Sequence, residues 1–208
     1  MTPPPSGRAA IAMLLSAACT GRHGIGPGFR ADGAEMPRLR KVLALEAGKV
    51  VADIGAGKGE LTLALAREVG LSGHVFSTEI DAARLERLRF TLAGSKLDNV
   101  SVIEARRRES GIPSSCCDAI VLRRVYHHLS DPASINASLL RALRPGGVLA
   151  VIDFPPPFFW RRGSLGVPAQ TVVREVAHSG LEPLALIDDW PGRGPLASYC
   201  VVFRKPRV

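Results

Sequence analysis

From residue 37 onward the chain alternates between two rhythms of apolar positions. Residues 37–47 place Leu39, Val42, Leu43 and Leu45 at helical spacing, with Gly48 as a stop. Residues 49–54 are a short apolar run bounded by turn formers, which predicts a strand. A helical pattern over 59–69 ends at Gly70, and residues 74–80 predict a second strand. Asp81 is placed to cap a helix reaching about residue 92. Strands are predicted at 100–104 and 117–122, then a helix over 132–143 closed by Pro145, Gly146 and Gly147. A fifth strand over 148–154 and a helix over 169–179 precede the last two strands, 182–188 and 199–204.

Strands separated by helical segments pair in parallel through right-handed crossovers. The expected fold class is therefore α/β, a doubly wound and mostly parallel seven-stranded sheet. The last two strands are separated only by residues 189–198, which hold two prolines and two glycines. That length suits a turn, so these strands are expected to form an antiparallel hairpin at the sheet edge.

Before residue 36 the pattern is different. Residues 1–8 carry three prolines and one positive charge, and residues 9–18 form a short apolar stretch ending in small residues. This is the layout of a secretory signal, and Cys19 stands where a lipoprotein would be cleaved and acylated. Two readings stay open: export, with a periplasmic or lipid-anchored product through Cys19, or a retained leader on a cytoplasmic protein. Residues 21–33 hold five glycines and read as a linker. The domain boundaries are thus 1–35 for leader and linker and 36–208 for the folded domain.

Composition narrows the function classes. With 46% hydrophobic and 22% charged residues the 208-residue chain is a globular domain, one that buries roughly 70% of its unfolded surface. No apolar run reaches the length of a membrane span. Four cysteines without a C-x-x-C pair give neither a disulfide framework nor a zinc site. The net charge of +8 raises a nucleic-acid partner. Against it, the arginines are spread along the chain in pairs and triplets with no aromatic residues between them.

The sharpest local signal is the turn Asp53-Ile54-Gly55-Ala56-Gly57-Lys58-Gly59, where a predicted strand runs through alternating glycines into a helix. Glycine lets the backbone turn tightly and a ligand come close, and the helix start offers free N–H groups. Glu79 follows twenty residues after Gly59 at the end of the second strand, where a carboxylate can bind ribose hydroxyls. A dinucleotide fingerprint would need glycine at position 60, which is Glu60, and the P-loop spacing is not met either. The turn favours a nucleoside ligand without phosphate.

These residues resemble the first motif of the class I S-adenosylmethionine-dependent methyltransferases, a Rossmann-like family that includes type 11/25-like domains. Residues 118–122 with Val125-Tyr126-His127-His128-Leu129 are similar to that family's fourth-strand motif. Residues 143–149 resemble its turn into strand five, and the likeness runs from about residue 39 to 205. The resemblance implies S-adenosyl-L-methionine as cofactor and a small-molecule methyl acceptor as partner. It implies a cofactor site of Asp53, Gly55, Ala56, Gly57, Gly59, Glu79, Ile80 and Arg106. Family members usually carry an acid after strand three for the adenine amino group; Arg106 stands in that slot here, followed by Arg107 and Arg108. Arginine has donors only. Adenine would then rely on backbone groups and apolar walls, or on Glu109 reaching in. A fold with this cofactor pocket but no transfer activity is accordingly the alternative reading, as is an RNA methyltransferase from the charge.

His127 and His128 are the candidate catalytic residues, since histidine titrates near neutrality and both follow strand four. The competing reading packs one of them under the next loop. Tyr126 is a further candidate for lining the acceptor pocket, with the core as the favoured place for it. Residues 155–162 join three prolines to three aromatics and read equally as a substrate lid, a plain connection or a surface patch.

Overall fold

The computed structural model describes residues 34–156, 166–191 and 198–207. The leader with Cys19, most of the aromatic segment 155–162 and most of the turn 189–198 lie outside the described residues. In chain order the elements are α1 (Glu35–Val42), β1 (Val50–Ile54), α2 (Glu60–Val69), β2 (His74–Glu79), α3 (Ala82–Ala93), β3 (Val100–Glu104) and β4 (Cys117–Arg123). After a short 3-10 turn at Tyr126–His128 come α4 (Pro132–Ala142), β5 (Leu143–Asp153), α5 (Ala169–His178), β6 (Glu182–Trp190) and β7 (Ser198–Arg204).

The sheet order is β3-β2-β1-β4-β5-β7-β6. The pairs β1–β2, β2–β3, β1–β4 and β4–β5 are parallel, while β7 runs antiparallel to both β5 and β6. The expected doubly wound, mostly parallel sheet with an antiparallel C-terminal hairpin is the observed one. Strand order reverses between β1 and β4, which opens a crevice above their C-terminal ends.

Alternation along the strands splits the core into two layers. Ala52, Ile54, Ile120, Leu122, Leu149 and Val151 pack on α4 and α5 through Leu139, Val172 and Val176. Val51, Ala119, Val121, Ala150 and Ile152 face the other way, against Leu39 of α1 and Leu61, Leu65 and Val69 of α2. Asp81 caps α3 by accepting from the Arg84 N–H at 2.9 Å, and Asp131 does the same for α4 from Ser134 at 3.0 Å.

Three boundaries depart from the periodicity. Helix α1 stops at Val42 rather than near residue 47, because Ala44 takes a left-handed φ of +47°; Leu43 and Leu45 stay buried outside the helix. Strand β5 begins at Leu143 rather than 148. Its Pro-Gly-Gly segment is drawn into the ladder by Lys205, whose carbonyl accepts from the Gly146 N–H at 2.9 Å. Strand β6 continues through Trp190, which pairs with Ser198.

Helix α1 is tied to the ends of β4 and β6. Glu35 accepts two hydrogen bonds from Arg123 at 2.9 and 3.0 Å and one from the Trp190 indole at 3.1 Å. Arg38 of α1 grips Asp189 of β6 at 3.0 Å. No described helix is long and apolar enough to cross a membrane. The described cysteines, Cys116, Cys117 and Cys200, are all free thiols.

Candidate functional site

Strand β1 ends in Asp53 and Ile54, and the chain then climbs through Gly55, Gly57 and Gly59 at φ of +68°, +57° and +79° before α2 starts. These left-handed angles are the reason for glycine here. The three differ in what surrounds them. A Cβ on Gly55 would stand 2.7 Å from Val125 Cγ2, and one on Gly59 would stand 2.6 Å from Leu88 Cδ1. At Gly57 nothing lies within 4 Å. Gly59 therefore keeps α2 and α3 in contact, whereas Gly57 leaves open space above the turn.

Glu79 is 3% exposed and its carboxylate accepts from the Gly57 N–H at 3.1 Å, from Ile80 at 2.9 Å and from Asp81 at 3.3 Å. A carboxylate has about four acceptor positions, so one face stays available to hydroxyl donors. The glycine turn and the distant acid are thus joined directly.

Two cavities meet at Gly55. The first, about 220 Å³, is lined by Asp53, Gly55, Ala56, Lys58, Glu60 and Arg123. Asp53 is buried and accepts from Thr62 Oγ1 at 2.6 Å, and that hydroxyl lies 2.8 Å from Ser77 Oγ. Burial pushes the Asp53 carboxyl up to about 6, against the Thr62 hydrogen bond and the Arg123 charge. Glu60 Oε2 is buried with no hydrogen-bond partner among the described residues. An orphaned acceptor of this kind suits a ligand that brings a donor.

The second cavity, about 190 Å³, runs from Gly55 past Glu79 and Ile80 to Arg84, Arg106 and His128. Arg106 exchanges main-chain hydrogen bonds with Glu109 at 2.8 and 3.3 Å. Of the two alternatives left open for adenine, Glu109 reaching in is not the one observed: its carboxylate is held by Ser138 and by Arg141 at 2.6 Å.

The two candidate histidines separate. His128 is exposed to the second cavity, and burial of part of its ring, followed by the neighbouring His127, lowers its pKa below the usual value. His127 is buried behind it, with Nδ1 at 2.8 and 3.0 Å from the two Asp153 oxygens. The two imidazole rings lie 3.9 Å apart. Tyr126 sits in the core, its hydroxyl donating to Glu175 at 3.0 Å and accepting from Asn136 at 2.9 Å.

Of the residues singled out in the sequence, Asp53, Gly55 and Ala56 border the first cavity, and Gly55, Glu79, Ile80, Arg106 and His128 the second. Gly57, Gly59 and His127 border neither. Glu60, Arg123 and Asp153 were missed. The available signal for Arg123 and Asp153 was position alone: each ends a strand on the crevice side, as Glu79 does.

Comparison with known proteins places this architecture. The chain is 34% identical over 113 residues to the ubiquinone/menaquinone biosynthesis C-methyltransferase UbiE of Vibrio vulnificus, covering 54% of this chain. It is 32% identical over 114 residues to UbiE of Marinomonas sp.. The matches span 44% and 45% of those relatives, so the chain corresponds to less than half of their length. Among solved structures, a SAM-dependent methyltransferase from Aquifex aeolicus superposes with a TM-score of 0.71 at 21% identity, over 81% of this chain and 88% of that one. The [4+2]-cyclase SpnF superposes with a TM-score of 0.70 at 17% identity, over 82% and 79%. These likenesses show a shared fold. The family model described as a methyltransferase domain matches residues 45–172, well over half of the sequence, and the chain belongs to that family.

Proposed function

We propose that the chain binds S-adenosylmethionine and transfers its methyl group to a small-molecule acceptor. The observation that carries this reading is the direct link between the glycine turn and Glu79, whose carboxylate is fixed by three main-chain N–H groups at the mouth of a nucleoside-sized cavity. The residues fit the cofactor at both ends. The first cavity offers the orphaned Glu60 oxygen and Asp53 for an ammonium group, and Lys58 and Arg123 for a carboxylate. The second offers Glu79 for ribose hydroxyls, with Ile80 as an apolar wall. When bound, the cofactor supplies an electrophilic methyl group on a sulfonium centre.

The chain's own residues do the rest. Asp53, Glu60 and Glu79 give the crevice negative charge that complements a cation, and the rigid turn fixes the reacting end in place. His128, held neutral, takes a proton from an acceptor that must lose one. Its ring borders the second cavity, with the buried His127–Asp153 pair packed against it at 3.9 Å between ring centres. The UbiE relatives support a small acceptor rather than a macromolecule.

A second reading, a binding module with this fold and no transfer, is favoured by Arg106 in the slot where an adenine acceptor is expected. Calorimetric titration with S-adenosylmethionine and S-adenosylhomocysteine tests the cofactor reading: binding is expected, and no heat at millimolar ligand rejects it. Transfer of a labelled methyl group across a panel of small acceptors separates the two readings.

A further inference from the structure

The far wall of the second cavity is chemically one-sided. Beyond Glu79 the lining passes through Ala105, Arg106 and Arg107 to Ser110, where a base attached to the ribose would lie. The side-chain acceptors on this wall are occupied. Glu109 is committed to Ser138 and Arg141. Ser110 Oγ shares a 2.7 Å hydrogen bond with Ser138 Oγ. The Arg106 N–H and carbonyl close on the main chain of Glu109. The remaining polar side chains of this wall are those of Arg106 and Arg107, each a guanidinium with five donors and no acceptor.

Purine bases differ at the edge that meets such a wall. Adenine shows an amino donor beside the N7 acceptor, whereas a 6-oxo purine shows two acceptors, O6 and N7. Arginine pairs with the O6/N7 edge through two parallel N–H groups, while the N6/N7 edge of adenine calls for an amide. Resting on the cofactor reading above, we propose that Arg106 is a base-specificity residue that tunes this pocket toward 6-oxo purine nucleosides, so that the inosyl form of the thioether nucleoside binds at least as well as the adenosyl form.

The experiment is a calorimetric titration with S-adenosylhomocysteine and its deaminated counterpart, S-inosylhomocysteine, on the wild type and on Arg106→Gln. Arg106 is exposed and its side chain makes no hydrogen bond or ion pair among the described residues, so the variant is expected to keep the fold, which circular dichroism verifies. The wild type is expected to bind the inosyl form equally or more tightly. The Gln variant is expected to move the ratio of the two dissociation constants toward the adenosyl form by about tenfold, the usual size of a bidentate base contact. A wild type that prefers the adenosyl form by tenfold, or a ratio unchanged by Arg106→Gln, overturns the inference while leaving the cofactor reading standing. Binding of neither ligand removes the cofactor reading and this inference with it.

Discussion

Replacing Asp53 by Asn isolates the electrostatic character of the first cavity. The exchange keeps the side-chain volume and an oxygen for the Thr62 hydroxyl at 2.6 Å, and removes only the ionisable group. Burial is the largest cause of the shift that takes this carboxyl from 3.8 to about 6. A carboxyl that holds its proton more tightly in the folded than in the unfolded chain makes folding take up protons between those two values. Its favourable contribution is complete below pH 3.8 and disappears as the pH rises to about 6. Each tenfold in proton affinity is about 1.4 kcal/mol, so the wild type gives up about 3 kcal/mol across this window. Urea denaturation followed by tryptophan fluorescence at several pH values reads the difference. Wild type and Asp53→Asn are expected to match near pH 4, and the variant to be more stable by about 3 kcal/mol at pH 7.5, a midpoint shift of about 1 M urea or more. A gap that stays flat with pH, or a variant weaker than wild type at pH 7.5, refutes the reasoning. The same ionised carboxylate is what a cationic ligand neutralises. Wild-type affinity for S-adenosylmethionine is therefore expected to climb through pH 6, with no such climb in the variant.

The glycines give a contrasting pair. Gly59→Ala combines a φ of +79° with a contact to the buried Leu88 and is expected to cost about 2–3 kcal/mol by thermal or urea unfolding. Gly57→Ala meets open space and is expected to cost about 1 kcal/mol, for its backbone angle alone. Glu35→Ala removes the buried carboxylate that accepts from Arg123 and from the Trp190 indole, and a loss of about 3 kcal/mol in urea denaturation checks it. Burial and the adjacent His127 lower the pKa of His128, so its ring protons are expected to titrate below the usual 6.5 of an imidazole by NMR; a midpoint above that value contradicts the geometry.

Much of this was legible because it depended on neighbours in sequence. The strand-turn-helix of residues 50–69 declares itself through alternation, three glycines and a leucine stripe, and Asp81 announces the start of α3 three residues before the N–H it binds. The hairpin of β6 and β7 follows from two apolar runs with no helix between them. What stayed hidden was pairing over distance. Glu35 and Arg123 lie 88 positions apart, and His127 finds Asp153 after 26. No local pattern marks such partners; they become neighbours only because β4 and β5 lie side by side and α1 crosses their layer. The glycine turn hid a division of labour for the same reason. Its three glycines look alike in sequence, yet one abuts Val125, one abuts Leu88 and one faces emptiness.

The clasp formed by Glu35, Arg123 and Trp190 has a consequence for how the protein is made. Residues 35 and 190 are synthesised 155 positions apart, and the buried indole of Trp190 meets its acceptor only once both are in place. A growing chain can hold the whole glycine turn, the first five strands and the Glu35–Arg123 pair while that carboxylate still awaits its indole donor. The clasp beside the first cavity is thus the last part of the domain to be completed, and it waits on the closing hairpin.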